Sequence, residues 1–283
     1  MMTPAGRSAL TALLLFPLFL FAQSAFSCTL WSAHGEGTVL GGGTLIAKNR
    51  DWVPDHRQIL KTVRPKTGYR YFGIFAEGND DSGLKAGINE KGLVVVSSTA
   101  GSIPKKIRRE ADRTKGLLTK LLRECDGIDA VLKKELLFLG PRNLLLADGK
   151  KIAVIEIGLH GEHAATIGQN GFLTHTNHYR DEKLLKYNWK IGESSGRRLE
   201  RIEALLKDDA PPYSLDDFIA FSGDRSGGPD NGIWRTGGSP GKERTLSVWI
   251  VHSPPRSSPR LYIKIANPQE KEEVHRPDFR DLF

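Results

Sequence analysis

Cysteine is nearly absent from this sequence: its 283 residues include only Cys28 and Cys125. Two cysteines allow at most one intramolecular bridge, so a disulfide framework is excluded as the source of the fold. Internal repeats, low-complexity blocks and long linkers are also missing after residue 28. Beyond the first 27 residues no apolar run approaches the ~20 residues that a bilayer span needs. The glycines between Gly35 and Gly43 fit neither a P-loop nor a dinucleotide fingerprint, so no nucleotide cofactor is expected. The basic runs Lys105-Lys106-Ile107-Arg108-Arg109 and Lys133-Lys134 have no interleaved aromatics, which argues against a nucleic-acid partner. What remains is an ordinary globular composition, 39% apolar and 26% charged, with a net charge of +8. That excess speaks to solubility and to a weak attraction for anions, not to fold.

The start of the chain differs from the rest. Arg7 is the only charged side chain before Cys28, and residues 9–22 are apolar apart from Thr11 and Pro17. Such a run is too short to span a membrane and fits the core of a secretory signal. Ala25 and Ser27 then supply the small residues of a cleavage site, so residues 1–27 are expected to be a signal peptide cut before Cys28. The expected product is an exported domain over residues 28–283, periplasmic or secreted, with no membrane span. Cys28 becomes its first residue. Three readings compete there: a buried thiol or half of a bridge to Cys125, the lipid-attachment residue of an anchored, non-catalytic binding protein, or an N-terminal nucleophile. Phe26 and Ala25 stand where a lipoprotein signal favours a small residue and Leu, which weakens the second.

Period-two and β-branched runs predict strands over residues 28–34, 44–51, 59–63, 69–75, 84–88 and 93–97, the last two joined by the turn Asn89-Glu90-Lys91-Gly92. Amphipathic spacing predicts helices over residues 114–124 and 130–137, the second capped by Asp126 or Asp129. Four strands follow between residues 143 and 176. Helices are predicted over residues 195–206, capped by Ser194 or Ser195, and over residues 214–222, capped by Ser214. Residues 244–252 and 260–265 form a closing strand pair. Blocks of strands alternating with blocks of helices predict an α+β fold with mainly antiparallel sheets. Residues 223–241 form a long Gly/Pro-rich loop, and loops of that kind often border a substrate site.

A terminal cysteine places a nucleophile and a base on one residue. An α-amine titrates at ~7.7–8.0 against ~10.4 for lysine, so near neutrality a fraction can take the thiol proton. If residues 44–51 pair back on the first strand, Asp51 approaches that amine; the plainer reading is a turn aspartate. Asn177, in Thr174-His175-Thr176-Asn177-His178, can donate its amide to a developing oxyanion. The alternatives are a metal site, for which no Cys or Glu completes a zinc pattern, and plain loop polarity. Arg197, Arg198 and Arg201 read as solvated helix charge.

Five stretches in order carry a family resemblance: Cys28-Thr29, Lys48-Asn49-Arg50-Asp51-Trp52, Gly87-Ile88-Asn89-Glu90-Lys91-Gly92-Leu93, His175-Thr176-Asn177-His178 and Ser194-Ser195-Gly196-Arg197-Arg198-Leu199. The chain resembles the N-terminal-nucleophile hydrolases of the choloylglycine hydrolase and penicillin V acylase group, and more closely their acyl-CoA:6-aminopenicillanate acyltransferase branch. The resemblance implies a four-layer αββα sandwich of two mainly antiparallel sheets, and a hydrolase or acyltransferase of linear amides in N-acylated small molecules. It implies Cys28 as nucleophile, Asp51 as partner of its amine, Asn177 as oxyanion ligand and Arg198 as the family's structural or substrate-facing arginine. Thr99 falls where a second oxyanion-side residue, usually Asn, is found. Lys48 takes the place of an arginine of the bile-salt enzymes, with Arg50 shifted by two; Thr99 and Arg50 are the substrate-binding candidates. Neither cofactor nor metal is implied, and the oligomeric state is left open.

Overall fold

The computed structural model describes residues 27–78 and 81–283; the expected signal peptide, apart from Ser27, lies outside them. The strands are β1 (Cys28–His34), β2 (Thr44–Trp52), β3 (Arg57–Val63), β4 (Tyr71–Glu77), β5 (Gly83–Asn89), β6 (Val94–Thr99), β7 (Arg142–Ala147), β8 (Ile152–Ile157), β9 (His163–Gly168), β10 (Gly171–His175), β11 (Arg244–Ser253), β12 (Arg260–Ile265) and β13 (Glu273–His275). The helices are α1 (Lys105–Glu110), α2 (Leu117–Glu124), α3 (Ile128–Leu132), α4 (Glu193–Asp208), α5 (Leu215–Ser222) and α6 (Gly228–Asn231). Every strand pairing is antiparallel, in two sheets ordered β10-β1-β2-β11-β12-β13 and β3-β4-β5-β6-β7-β8-β9.

Side-chain alternation builds the layers. Along a strand successive residues face opposite sides. In β6, Val94 and Val96 face the other sheet and meet Leu30, Ile46, Leu145 and Trp249, while Val95 faces outward onto Leu117, Leu121 and Cys125 of the α2–α3 region. In β11, Trp249 and Val251 point between the sheets, and Val248 and Ile250 point outward onto Ile202 and Leu206 of α4 and Phe218 of α5. Both faces of the central strands are covered, so stretches such as Val94–Val96, Leu144–Ala147 and Val248–Val251 read as unbroken apolar runs although the sheets are antiparallel. The result is the expected α+β sandwich in αββα layers.

Turn chemistry fixes two of the connections that shape the site. Gly43, at φ +78°, ends the β1–β2 hairpin, where a Cβ would lie 2.1 Å from the Ser253 carbonyl oxygen. Asn89 is fully buried at the β5–β6 turn. Its amide donates to the carbonyls of Leu122 and Cys125, and its Oδ1 accepts from the Lys91 and Leu93 N–H groups, tying the hairpin to α2.

Several helix starts differ from the sequence expectation. The first predicted helix begins later, at Leu117, because Gly116 adopts the left-handed conformation before it. The second is the short α3, preceded by Gly127 and followed by a 3₁₀ turn (Glu135–Leu137); Asp129 is inside it and pairs with Lys151 at 2.7 Å. Gly192, not a serine, precedes α4, whose first turn contains Ser194 and Ser195. Only α5 starts as expected, on a capping box of Ser214 and Asp217. The basic run at residues 105–109 forms α1, and β13 extends the first sheet; neither was anticipated.

Both cysteines are buried and unbridged. Burial among apolar residues pushes the Cys125 thiol up to about 11, so it behaves as a small apolar side chain. The α2 layer closes over an apolar face in which Leu121 is fully buried, so Leu121→Ala should lower the unfolding free energy by about 2–5 kcal/mol in urea denaturation. A change near zero would contradict the packing described.

Candidate active site

Cys28 opens β1, with 6% of its surface exposed, between β2 and the chain leaving β10. Its position opposite Arg50 follows from the β1–β2 register, which also sets Thr29 against Asn49. The Cys28 backbone N–H donates to Asn177 Oδ1 at 3.0 Å. The same oxygen accepts from Arg198 Nη2 at 3.0 Å, and Asn177 Nδ2 donates to the Thr99 carbonyl at 2.9 Å. Arginine has no acceptor, so it fixes which end of the Asn177 amide is the carbonyl.

Asn177 is held at every polar atom. Its N–H donates to Ser195 Oγ at 3.0 Å, and its carbonyl accepts from the Ser102 N–H at 3.1 Å. The Ser195 hydroxyl also meets His178 Nδ1 at 2.8 Å. Arg198 is fully buried. It spans Thr29 Oγ1 (2.7 Å), Asn177 Oδ1 and Ser194 Oγ (3.2 Å), and burial lowers its pKa to about 10. It does not line the cavity beside Cys28 but positions Asn177 and the first strand.

Asp51 lies beyond Arg50 on β2, fully buried, with its N–H on the Ser27 carbonyl at 3.2 Å. Its Oδ1 accepts from Thr245 Oγ1 at 2.8 Å, and its Oδ2 faces Arg235 Nη1 at 3.7 Å without a hydrogen bond. Arg235 binds Glu243 at 2.7 Å. Burial raises the pKa of Asp51, against the pull of Arg235 and Arg198. Thr245, Arg235 and Glu243 were not singled out from the sequence. The signal that could have found Arg235 was the long loop over residues 223–241. That loop does not line the cavity, contrary to expectation; it packs Ile233 and Trp234 on the outer face of the first sheet and brings Arg235 to Asp51.

A cavity of about 510 Å³ opens beside Cys28, within the range usual for small-molecule sites. Lys48, Arg50 and Thr99 line it. Arg50 donates to Gln58 Oε1 at 2.8 Å, meets His56 Nδ1 at 3.0 Å and lies 4.9 Å from the centre of the Trp52 ring. Burial lowers Lys48 to about 8 while its ammonium donates to the carbonyls of Lys85 and Ser97, each at 2.7 Å. Of the residues singled out from the sequence, Cys28, Arg50 and Thr99 share the cavity wall, and Asn177 joins Cys28 to Thr99. Asp51 and Arg198 stand behind that wall. His175, by contrast, is buried with Nε2 2.6 Å from Glu156 Oε1, and the Glu156 carboxylate also accepts from the Arg180 and Asp181 N–H groups, which orders the chain after β10.

The two antiparallel sheets and their flanking helices make the N-terminal-nucleophile hydrolase fold. Residues 39–270 match the sequence profile of the acyl-coenzyme A:6-aminopenicillanic acid acyl-transferase family, and the chain belongs to that family. Among solved structures, it is similar to penicillin V acylase from Agrobacterium tumefaciens, at 17% identity and a TM-score of 0.55, over 90% of this chain and 87% of that one. A variant of conjugated bile acid hydrolase from Clostridium perfringens aligns at 14% identity and a TM-score of 0.55, over 89% and 93% of the two chains. The Caenorhabditis elegans ortholog of N-acylethanolamine-hydrolyzing acid amidase aligns at 10% identity and a TM-score of 0.55, over 81% and 93%. No curated protein matches the sequence. Among the described residues, no helix is long and apolar enough to cross a membrane.

Burial lowers the His178 pKa from 6.5 to about 4, so the ring beside Ser195 is neutral near pH 7. Between those values the unfolded chain binds a proton that the folded chain does not, so stability present above the window is lost as pH falls through it. Urea denaturation at neutral pH and at about pH 5 should show a smaller loss for His178→Asn than for the unaltered protein. Equal losses would contradict a neutral His178.

Proposed function

We propose that this protein is an exported amidohydrolase whose nucleophile is the Cys28 thiol, made N-terminal by removal of residues 1–27. Its substrates are linear amides of N-acylated small molecules. The observation that carries the reading is the Cys28 nitrogen, fixed 3.0 Å from Asn177 Oδ1 on a residue that lines the cavity. In the mature protein that nitrogen is an amine. Its neutral form takes the thiol proton, directly or through water, and the sulfur attacks the amide carbonyl. Asn177, oriented by Arg198, donates to the oxyanion. The ammonium then returns a proton to the leaving amine, and water hydrolyses the thioester. Acyl transfer replaces that water with a second amine, and the family supports either outcome. Asp51 suits the amine-orienting role: it stands opposite Ser27, the residue removed, and its buried Oδ2 accepts no hydrogen bond among the described residues.

The competing occupant of the Cys28 nitrogen is an acyl chain, because an acylated amine is no longer basic. Burial of Cys28 within the inter-sheet cluster favours the enzyme over an anchored binding protein. The intact mass of the exported protein should correspond to a chain starting at free Cys28, and a diacylglyceryl adduct would sink the proposal. Cys28→Ala should abolish amide hydrolysis with little change in Tm. Retained hydrolysis would rule out the thiol, and a collapse in Tm would indicate a core role instead.

A further inference from the structure

Past Cys28, the cavity runs into a cationic arm. Its wall includes Lys85, Arg108, Arg113, Lys115 and Arg142, while Asp81 is the one carboxylate among the described lining residues. Asp81 is already engaged, 2.8 Å from the Lys85 ammonium. Arg142 donates from Nε to the Gly140 carbonyl at 3.4 Å and has no ion pair among the described residues. Arg108 donates to the Ile103 carbonyl at 2.9 Å, and Arg113 to the Arg108 carbonyl at 3.0 Å; neither has a carboxylate partner there. The uncapped N-terminus of α2 adds its positive end, since Gly116 and Leu117 line the same wall and no acidic residue occupies the first turn.

Gathering like charges around a partly desolvated space is unfavourable unless an anion joins them. Burial lowers the pKa of Arg108 and Arg142, and it lowers Lys85 to about 8, which records the cost of desolvating these cations. The attack at Cys28 uses none of these side chains. Planar guanidinium groups match carboxylate and phosphate oxygens in paired hydrogen bonds.

We propose that the substrates carry a carboxylate or phosphate group that seats among Arg108, Arg113 and Arg142 while the amide carbonyl lies at Cys28. This rests on the amide-cleaving reading above and names its substrate class: acylated amines with an oxyanion at a distance from the scissile bond. The anion neutralises the arm on entry and fixes the register of the amide at the sulfur.

The test uses the mature protein with succinyl, adipoyl and suberoyl monoanilides, their uncharged acyl anilides of equal length, and the hexanoyl amide of para-aminobenzoate. At least one anionic substrate should exceed its neutral match in kcat/KM by about tenfold or more, through KM, and the advantage should shrink with added salt. Arg142→Gln should raise the KM of that substrate by about tenfold, a shift of KM and not kcat. Inorganic phosphate or acetate should raise the same KM beyond the effect of equal ionic strength, and the stronger competitor identifies the anion. Neutral anilides cleaved as well as every anionic one would overturn the inference and leave amide hydrolysis standing. If no anilide is cleaved, calorimetry of suberoyl monoanilide with the Cys28→Ala protein still decides: binding that its neutral match lacks supports the arm, and equal or absent binding overturns it.

Discussion

Arg198 holds a positive charge where no water reaches it, and three oxygens from separate elements take up its donors. Ser194 lies on its own helix, Thr29 on β1 and Asn177 just beyond β10. Because β1 runs between β10 and β2, this guanidinium fastens α4 to the strand that begins with Cys28 and to the residue that binds the Cys28 nitrogen. A lysine has the charge but not the fixed fork that spans three acceptors. The orientation of the Asn177 amide, and hence which of its atoms faces the Cys28 nitrogen, depends on this contact.

Strand β2 distributes the rest of the chemistry by parity. All nine of its residues are buried, although Lys48, Asn49, Arg50 and Asp51 are polar in succession. Lys48 and Arg50 point into the space between the sheets and line the cavity. Asn49 points the other way, where its amide donates to the carbonyls of Ser222 and Ile233, and Asp51 follows it to Thr245 and Arg235. A run of four polar residues normally signals a loop. Here each finds partners on its own side of one sheet, which is the condition for burying such groups in a strand.

The strand pattern was legible from sequence because both faces of each sheet are covered, so apolar runs bounded by turn residues mark nearly every strand. Helix starts were less legible. At Gly116, Gly127 and Gly192 the backbone, not a side-chain cap, sets the first turn, and the serines expected to cap α4 serve Asn177 and Asp230 instead. Arg198 read as solvated charge because a basic cluster at a helix start usually faces solvent; the buried face of α4 is Ser195, Arg198, Ile202 and Leu206. The partners of Asp51 were hidden for another reason. Thr245 and Arg235 lie almost two hundred residues away, and only the β2–β11 pairing brings them to one place.

On the proposed reading the nucleophile stands at the end of a central strand, more tightly placed than on a loop, since its backbone is set by the sheet register. Cys28 also borders the cluster between the sheets, beside Leu30 and Ile46, so its side chain is sheltered from water. On the proposed reading, loss of Ser27 removes one bond to β2, the Asp51 N–H to the Ser27 carbonyl, and leaves the Cys28–Arg50 pairing in place. The cut therefore changes the chemistry of one nitrogen without loosening the strand that carries it. The proposed ammonium would bring further hydrogens to the nitrogen that Asn177 Oδ1 already accepts from. On that reading the fold that buries the thiol gives its amine one fixed acceptor, Asn177 Oδ1, and keeps the Asp51 carboxylate one strand position away, opposite the residue that leaves.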